Sequence, residues 1–506
     1  MLDARILLDP SHTIAEVPRR LFGSFVEHLG RAVYTGIYEP THPTADSNGF
    51  RQDVADLVTE LGPTIVRYPG GNFVSGYRWE DGVGPVADRP TRLDAAWHSR
   101  ETNEVGLHEF AGWAAARGIE VMQAVNLGTR GMAEAADLVE YSNHPSGTEL
   151  SDRRRRNGAD DPFGIAVWCL GNEMDGPWQI GHRTADEYGR IAAETGRLMN
   201  WIDPTIELVA AGSSNADMPT FGDWERAVLR HAGDVVDHLS VHAYYEEVDG
   251  DAATFLASGA ALDAYIDDVA AIIDEIALET GSSKKVGIAV DEWNVWYQTR
   301  FNAVDKEPLF AGPWNERPRL LEDEYTVTDA VVVGSLLQSL IRHSDRVTMA
   351  NLAQLVNVIA PIRSEPGGPA WRQTTFHPFQ RAAAFARGDV VGCEVEVDDV
   401  DGGRHGNVPA LDAVATRDGH DVTVLLTNRS LVEPLKVRML GLAPTVEPVS
   451  IETLTVPEGG DRHTANTEAA PDAVTMTALP NSVERDGTVL FRLPPLSWSI
   501  LRARLA

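Results

Sequence analysis

The chain has 506 residues, of which 43% are hydrophobic and 23% charged, a composition typical of a folded globular protein. This length exceeds what one simple core holds, so we expect two domains. The 43 basic and 75 acidic residues give a formal net charge of −32 at pH 7. Such a surface repels phosphate backbones and anionic membranes, so it argues against nucleic-acid and membrane partners. It is compatible with a neutral ligand such as a sugar.

Targeting signals are not evident in the sequence. Residues 1–10 lack the long apolar stretch of a secretory signal, and no run of about 18 apolar residues occurs. We therefore expect a cytoplasmic protein. The two cysteines, Cys169 and Cys393, do not define a disulfide framework, and Cys169 is expected to be a small core residue. The four arginines at 153–156 are expected to form a solvated turn.

Short apolar runs alternate with amphipathic stretches between about residues 18 and 385, which predicts βα units around a parallel sheet. The predicted strands are 22–27, 64–68, 120–126, 165–170, 206–211, 236–241, 286–291 and 349–355. Helical spacing of apolar residues fills the intervals, and Gly62 and Gly281 are placed to end two of these helices. No G-x-G-x-x-G motif follows the first strand, so a closed (β/α)₈ TIM barrel is favoured over a dinucleotide-binding sheet.

The pattern changes after about residue 385. Short β-type runs follow, separated by turn residues such as Asp418-Gly419 and Asp486-Gly487, and they predict an all-β sandwich of jelly-roll type. A further strand at 4–8 is one more than the barrel needs, and we assign it to the edge of the sandwich. The sequence therefore predicts a catalytic barrel at 18–385 and a sandwich formed by 1–17 together with 386–506.

Two glutamates end two of the predicted barrel strands. Glu173 follows the run 165–170, and Glu292 follows the run 286–291. Active sites of TIM barrels lie at the carboxyl ends of the strands, and these are the fourth and seventh strands, whose ends face each other across the mouth. A carboxylate pair is what glycoside hydrolysis requires. Trp168 and Leu170 are expected to supply an apolar wall that raises the pKa of Glu173, as a general acid requires.

Each glutamate alone has a simpler interpretation. Asn172-Glu173 also suits the start of a helix, and Asp291-Glu292 also suits an acidic surface loop. The presence of both favours catalysis. Trp296 can stack on a sugar face, although it can equally pack at the barrel rim. The histidines lack the spacing of metal ligands, so neither a catalytic metal nor a cofactor is expected.

Six motifs occur in order from the start to the end of the predicted barrel. They are GSFVEHLGR at 23–31, RYPGGNF at 67–73, LGNEMDG at 170–176, SVHAY at 240–244, DEWNVW at 291–296 and AQLVN at 353–357. With these motifs the chain resembles the retaining barrel glycosidases and, more specifically, the α-L-arabinofuranosidases of glycoside hydrolase family 51.

The resemblance implies roles for particular residues. Glu292 is the implied nucleophile and Glu173 the implied acid/base. The sugar-binding positions of the family correspond to Glu27, Asn72, Asn172, Tyr244 and Gln354. Each follows or ends a predicted strand, so each can project into the barrel mouth, and Tyr244 can donate a hydrogen bond to Glu292.

The expected activity is that of a retaining, exo-acting α-L-arabinofuranosidase with arabinofuranose-containing oligosaccharides as substrates. One alternative is a related furanosidase or β-glycan hydrolase that uses the same glutamate pair. Another is a non-catalytic carbohydrate-binding barrel. The resemblance also implies a homo-oligomer, specifically a hexamer.

The stretch 299–324 follows the seventh strand and is too long for an ordinary βα loop. It contains Phe310 and Trp314, which are costly to leave in water without a partner. We expect this stretch to fold over the barrel mouth or against a neighbouring subunit. The alternative is a disordered surface insertion.

Overall fold

A computed structural model describes residues 2–442 and 448–506. Eight parallel strands close into a barrel, in the order of the chain. They are Gly23–Phe25 (β1), Ile65–Tyr68 (β2), Glu120–Val125 (β3), Val167–Leu170 (β4), Glu207–Ala211 (β5), His238–Tyr245 (β6), Gly287–Val295 (β7) and Val347–Ala353 (β8). The predicted (β/α)₈ barrel is confirmed, with strand ends that differ from the predicted ones by a few residues.

The barrel strands are apolar on both faces because each is covered on both sides. Side chains such as Met122, Val167 and Cys169 fill the barrel interior, and alternate residues such as Trp168 and Leu170 pack outward against the helices. Cys169 is buried and free, as expected of a small core residue.

Helices surround the barrel, and their apolar faces pack on it. The α-helices are Gln52–Leu61, Leu107–Ala115, Met132–Asn143, Glu149–Arg156, Ala185–Ile202, Asp223–Ala232, Ala252–Leu256, Ser258–Thr280, Gln298–Arg300, Lys306–Ala311, Val327–Arg342 and Phe376–Phe385, with a π-helix at Phe301–Asp305. Gly62 and Gly281 end two of them with φ of 79° and 70°, a left-handed conformation that glycine adopts without strain. In the described part of the chain, none of these helices combines the length and apolarity that crossing a bilayer requires.

The second sheet contains both ends of the chain. Its strands are Leu2–Glu16, Asp389–Val397, Leu411–Asp418, Asp421–Asn428, Leu435–Leu440, Ser450–Thr455, Thr477–Ala478, Asn481–Val483, Val489–Leu493 and Ser497–Arg504. Alternate residues of these strands, such as Ile6, Leu426 and Phe491, share one apolar core, so the sheet folds over it as a sandwich. The predicted C-terminal β-domain that takes in the N-terminal strand is confirmed.

The N-terminal strand does not lie at the edge of this sheet, as the sequence suggested. It pairs antiparallel with Asp389–Val397 on one side and parallel with Leu435–Leu440 on the other. Ala4, Ile6 and Leu8 are buried in the sandwich core, so the strand is an internal one. The division of the chain at residues 18 and 385 stays a prediction.

The four arginines at 153–156 do not form a solvated turn. They lie in the helix Glu149–Arg156, and the side chain of Arg154 is fully buried. Its guanidinium donates to the carbonyl oxygens of Tyr141, His144 and Pro145 at 2.9, 2.6 and 2.9 Å. Arg154 therefore binds carbonyls at the end of the preceding helix, where the helix itself supplies no donors.

The helix Val327–Arg342 joins the two domains. It is buried along nearly its whole length, and Gln338 donates to the carbonyl oxygen of Leu425 in the sandwich at 3.2 Å. Arg342 pairs with Asp263 of the barrel at 2.7 Å and with Asp412 of the sandwich. Gly334 lies against the indole of Trp498, which leaves no space for a side chain.

We predict that Gly334→Ala lowers the unfolding temperature. A Cβ atom at this position would lie 2.1 Å from Trp498 Cδ1, so the indole or the helix must shift. Overpacking of this kind costs about 1–3 kcal/mol, which outweighs the gain in helix propensity.

Gly112→Ala is the matched control. Gly112 is exposed in the helix Leu107–Ala115, and a Cβ there would meet nothing within 4 Å. This control should be neutral or stabilising by about 0.4–1 kcal/mol. Equal unfolding temperatures for the two variants in a calorimetric scan would contradict the prediction.

Candidate active site

The carboxyl ends of the barrel strands surround a cavity of about 1020 Å³. Residues of the predicted site that line it are Glu27, Asn72, Glu173, Tyr244, Glu292, Trp296 and Gln354. Asn172 is buried beside it, where its Nδ2 donates to Asn72 Oδ1 at 3.4 Å. The structure therefore brings all eight predicted residues to one place.

Glu173 sits on a tight turn after β4. Gly171 and Glu173 both have positive φ, 84° and 43°, and the turn directs the carboxyl group into the cavity. Glu173 Oε2 accepts a hydrogen bond from Trp178 Nε1 at 2.6 Å, and Oε1 lies 3.0 Å from His242 Nδ1. Burial raises the pKa of Glu173 above its ordinary value, which favours the protonated form that a general acid needs.

The predicted cause of this pKa shift is partly wrong. Trp168 is fully buried on the outer side of the barrel wall, and its Nε1 donates to the carbonyl oxygen of Ile165 at 2.9 Å. The indole at the carboxyl group is that of Trp178 instead. Trp178 comes from the loop after the strand, and its ring covers Gly176, where a Cβ would lie 2.5 Å from the ring.

Glu292 lies on β7, and each of its two carboxyl oxygens accepts a hydrogen bond. Arg67 Nη1 donates to its Oε1 at 2.5 Å, and the Tyr244 hydroxyl donates to its Oε2 at 2.8 Å. Burial and the charge of Glu292 raise the pKa of Tyr244 well above its ordinary value, so the phenol keeps its proton and donates. The contact predicted between Tyr244 and Glu292 is present. Gly71 lets the backbone pass this carboxylate, since a Cβ there would lie 2.9 Å from Glu292 Oε1.

Two buried cations neutralise the acidic cluster. Arg67 pairs with Asp291 at 3.1 Å as well as with Glu292, and its Nη2 donates to Asn172 Oδ1 at 2.8 Å. Burial opposes a charge on His242, but the carboxylates of Glu292, Asp291 and Glu173 outweigh it and raise the pKa of His242 well above its ordinary value. Arg67 and His242 thus both lie against the carboxyl groups of Asp291 and Glu292.

Glu27 forms the deep end of the cavity. Its Oε1 accepts from the backbone N of Phe73 at 2.8 Å and from Trp97 Nε1 at 2.9 Å. Gln354 Nε2 donates to its Oε2 at 3.4 Å. Burial raises the pKa of Glu27 to about 8. The backbone at Gly70 lies close to the Glu27 side chain, which a residue with a side chain would prevent, because a Cβ there would lie 2.5 Å from Glu27 Cγ.

Trp97 is carried by a two-stranded hairpin, Arg92–Asp94 and Ser99–Glu101. The carboxylate of Asp94 fixes the tip of the hairpin by accepting from the backbone N of Ala96 and of Trp97, at 3.0 and 3.2 Å. The Trp97 side chain is thereby held in the cavity wall.

Three residues that contact the predicted carboxyl groups have no role predicted from the sequence: Arg67, Trp97 and Trp178. Arg67 could have been found from the sequence, because it is a charged residue inside an otherwise apolar strand. His242 was expected to support the site rather than to act as a base, but its contact with Glu173 was not predicted. Trp97 and Trp178 lie on irregular loops, where no periodic pattern points to the cavity.

The two tryptophans of the DEWNVW motif have different surroundings. Trp293 is fully buried in the core. Trp296 lines the cavity, with its ring centroid 5.1 Å from that of Tyr244. Of the two interpretations given for Trp296, its position in the cavity wall is compatible with contact with a sugar, which stays a prediction.

Glu173, His242 and Glu292 also offer ligand atoms that lie within 4.8 Å of one another. The raised pKa of His242 favours its charged form, which does not bind metals. His242 Nδ1 is instead hydrogen-bonded to Glu173 Oε1 at 3.0 Å and lies 3.6 Å from Glu292 Oε2. That the protein needs no metal or cofactor stays a prediction.

The stretch 299–324 is folded over the barrel mouth, as expected. It continues a helical segment through Phe301–Asp305 and Lys306–Ala311, and Phe301, Asn302, Lys306 and Phe310 line the cavity. Trp314 stacks on His98 of the Trp97 hairpin, with ring centroids 3.9 Å apart. The alternative of a disordered insertion is therefore wrong.

Known proteins share both the sequence and the architecture. Residues 57–263 match the family model of the α-L-arabinofuranosidase 1 domain, and residues 291–497 match that of the α-L-arabinofuranosidase C-terminal domain. The chain is 55% identical to an intracellular exo-α-(1→5)-L-arabinofuranosidase of Streptomyces lividans, over 99% of this chain and 75% of the relative. It is 48% identical to such an enzyme of Bacillus subtilis, over 100% and 99%.

Solved structures agree with these relatives. The fold matches that of a family 51 α-L-arabinofuranosidase from Bifidobacterium longum with a TM-score of 0.94 and 45% identity, over 100% of both chains. It matches the Thermotoga maritima α-L-arabinofuranosidase, solved with arabinose, with a TM-score of 0.86 and 33% identity, over 99% and 100%.

A TIM barrel with two glutamates at the ends of its fourth and seventh strands defines a barrel glycoside hydrolase. The chain belongs to the α-L-arabinofuranosidases of glycoside hydrolase family 51.

We predict that Glu27→Gln gains stability relative to the wild type as the pH rises. The pKa of Glu27 is raised from 4.5 to about 8 in the folded protein. The stability that neutral Glu27 contributes is therefore present below about pH 4.5 and lost as the pH rises through 8, whereas glutamine does not titrate.

The measurement is the difference in unfolding temperature between variant and wild type at pH 5 and pH 8.5. Glu194→Gln is the control, because its side chain is 60% exposed on the surface of a helix. A difference for Glu27→Gln that stays constant across this range would refute the assignment.

Proposed function

We propose that this enzyme is a retaining, exo-acting α-L-arabinofuranosidase that releases terminal arabinofuranose from arabino-oligosaccharides. The observation that carries the proposal is the pair of half-buried Glu173 and buried Glu292, which offer carboxylate oxygens within 4.8 Å of each other. Retaining enzymes keep their carboxyl groups about 5–5.5 Å apart, whereas inverting enzymes need about 6.5–9.5 Å to admit a water. Family membership does not favour the alternatives of another glycan hydrolase or a non-catalytic barrel.

In the first step Glu292 is the nucleophile. Its carboxylate attacks the anomeric carbon while the bond from that carbon to the leaving oxygen breaks. Glu173 gives its proton to the departing oxygen. Arg67 and Tyr244 hold Glu292 by one oxygen each, at 2.5 and 2.8 Å, so the ionised form is kept in position.

In the second step Glu173 acts as a base. It takes a proton from a water that attacks the anomeric carbon, and the bond to Glu292 breaks, so that arabinose leaves with its configuration retained. Between the two steps Glu173 is ionised in a buried place. The proton of His242 Nδ1, 3.0 Å from Glu173 Oε1, stabilises that charge.

The terminal arabinose binds at the deep end of the cavity. Glu27, Asn72, Asn172, Tyr244 and Gln354 bind its hydroxyls, and Trp296 contacts its ring or the next sugar. Because Phe73 and Trp97 lie behind Glu27 and bond to it, the cavity is closed beyond this sugar, which suits removal of a terminal residue.

We also propose that the barrel domain spans residues 18–385 and that the protein is cytoplasmic. We further propose that it is a homo-oligomer, and family resemblance suggests a hexamer. The relatives named intracellular support the location.

Hydrolysis of a nitrophenyl α-L-arabinofuranoside, followed by NMR of the first-formed sugar, tests the proposal. The sugar should appear with the anomeric configuration of the substrate. An inverted product would exclude double displacement, and no hydrolysis of any arabinofuranoside would exclude the activity.

We predict that Glu292→Ala lowers kcat by about 10³-fold or more, because the covalent intermediate cannot form. Added azide should restore turnover and give an arabinosyl azide of inverted configuration, since the small anion fits the space of the lost carboxylate. Glu194→Ala, on the protein surface, is the control for purification and folding. Near-normal turnover without azide would rule out Glu292 as the nucleophile.

We predict that Glu173→Ala loses more activity on substrates with poor leaving groups than on nitrophenyl arabinofuranoside. A nitrophenolate leaves with little protonation, whereas a sugar alcohol needs the proton of Glu173. The covalent intermediate should then accumulate and be visible by mass spectrometry of the intact protein. An equal loss on both kinds of substrate would show that Glu173 is not the acid.

A further inference from the structure

The sandwich domain sends a hairpin to the mouth of the barrel. Its strands are Asp399–Asp401 and Asn407–Pro409, and its tip is the 3₁₀ turn Gly403–His405. The hairpin lies outside the ten-stranded sheet, with Val400 packed against the sandwich core and its tip extending away to the barrel. Arg404 and His405 at the tip line the same cavity as Glu173 and Glu292.

The tip is docked on the barrel by specific contacts. The backbone N of Arg404 donates to Thr254 Oγ1 at 3.0 Å, and that hydroxyl donates to Asp251 Oδ2 at 2.6 Å. Gly403 has φ of 60°, and a Cβ there would lie 2.1 Å from Thr254 Oγ1. Gly403 therefore permits both the turn and the close approach.

The two side chains at the tip suit neutral hydroxyl groups. Arg404 Nε donates to His405 Nε2 at 3.2 Å, so this nitrogen carries no proton and Nδ1–H remains as a donor. Burial and the charge of Arg404 lower the pKa of His405, which keeps the ring neutral. The ion pair of Arg404 with Asp217 is 3.9 Å long and largely exposed, so it holds the guanidinium only weakly.

The cavity is larger than a terminal arabinose needs. Its volume of about 1020 Å³ lies at the upper end of sites that enclose drug-sized ligands. The glutamates and Glu27 occupy one part of it. Arg404 and His405 share the remaining wall with residues that follow β5 and β6, such as Met218 and Val248, and with the 299–324 stretch.

We propose that Arg404 and His405 form a distal subsite for the leaving-group glycan and so set the preference for substrate length. This inference rests on the proposed function. The occupant is a neutral pentose unit of the oligosaccharide beyond the scissile bond. Its hydroxyls accept from the guanidinium and from His405 Nδ1–H, as charge-assisted and neutral hydrogen bonds respectively. The sandwich domain thereby takes part in substrate selection.

The test compares Arg404→Ala and His405→Ala with the wild type on α-1,5-linked arabinobiose, arabinotriose, arabinotetraose and nitrophenyl arabinofuranoside. The ratio of kcat/KM on the longer oligosaccharides to kcat/KM on the nitrophenyl glycoside should fall about tenfold for Arg404→Ala. A tenfold fall is the effect expected from the loss of one charge-assisted hydrogen bond to the substrate. Arg438→Ala, an exposed arginine on a sandwich strand, is the control and should keep the wild-type ratio.

A second pair of variants moves the tip without removing either side chain. Gly403→Ala collides with Thr254 and should lower the same ratio. Gly406→Ala has similar backbone strain, with φ of 74°, but meets nothing within 4 Å, so its ratio should change less. Unchanged ratios in Arg404→Ala, His405→Ala and Gly403→Ala would overturn the subsite. A wild type that hydrolyses no arabinofuranoside would instead overturn the proposed function, so the two failures are distinguishable.

Discussion

The buried guanidinium of Arg67 is the interaction on which the rest of the site depends. It lies on β2 and joins Asp291 and Glu292 of β7 to Asn172 at the end of β4. Three strands that are distant in sequence are thereby held by one side chain. Loss of this charge would leave the buried carboxylates of Asp291 and Glu292 without one of the two cations that contact them, and an uncompensated buried charge is strongly destabilising.

The same cluster contains two carboxyl groups whose pKa values are shifted in opposite directions. Burial raises the pKa of Glu173, whereas the pKa of Asp291 is lowered because the charges of Arg67 and His242 outweigh its burial. Burial dominates at Glu173 and neighbouring charges dominate at Asp291, so the pKa values of these two carboxyl groups move apart. A proton donor beside an ionised cluster is the condition for acid catalysis at neutral pH.

Local sequence pattern was sufficient for the barrel and for the residues that end its strands. Apolar runs give the strands, and the polar residues that end them, such as Glu173 and Glu292, must face the mouth. Local sequence pattern was insufficient where the position of a residue depends on contacts with segments that are distant in sequence. The N-terminal strand has an apolar alternation that fits either an edge or an interior, and only its two partners decide between them. Trp97 and Trp178 reach the cavity through loops whose paths depend on tertiary contacts, such as the acceptors on Asp94.

The internal position of the N-terminal strand has a consequence for how the chain is made. Leu2–Glu16 is translated before the barrel, yet both strands that flank it, Asp389–Val397 and Leu435–Leu440, are translated after it. During translation its two edges and its apolar side chains are therefore without their native partners. Because these pairings join segments that lie on opposite sides of the barrel in sequence, this part of the sandwich cannot form until Leu435–Leu440 has been translated.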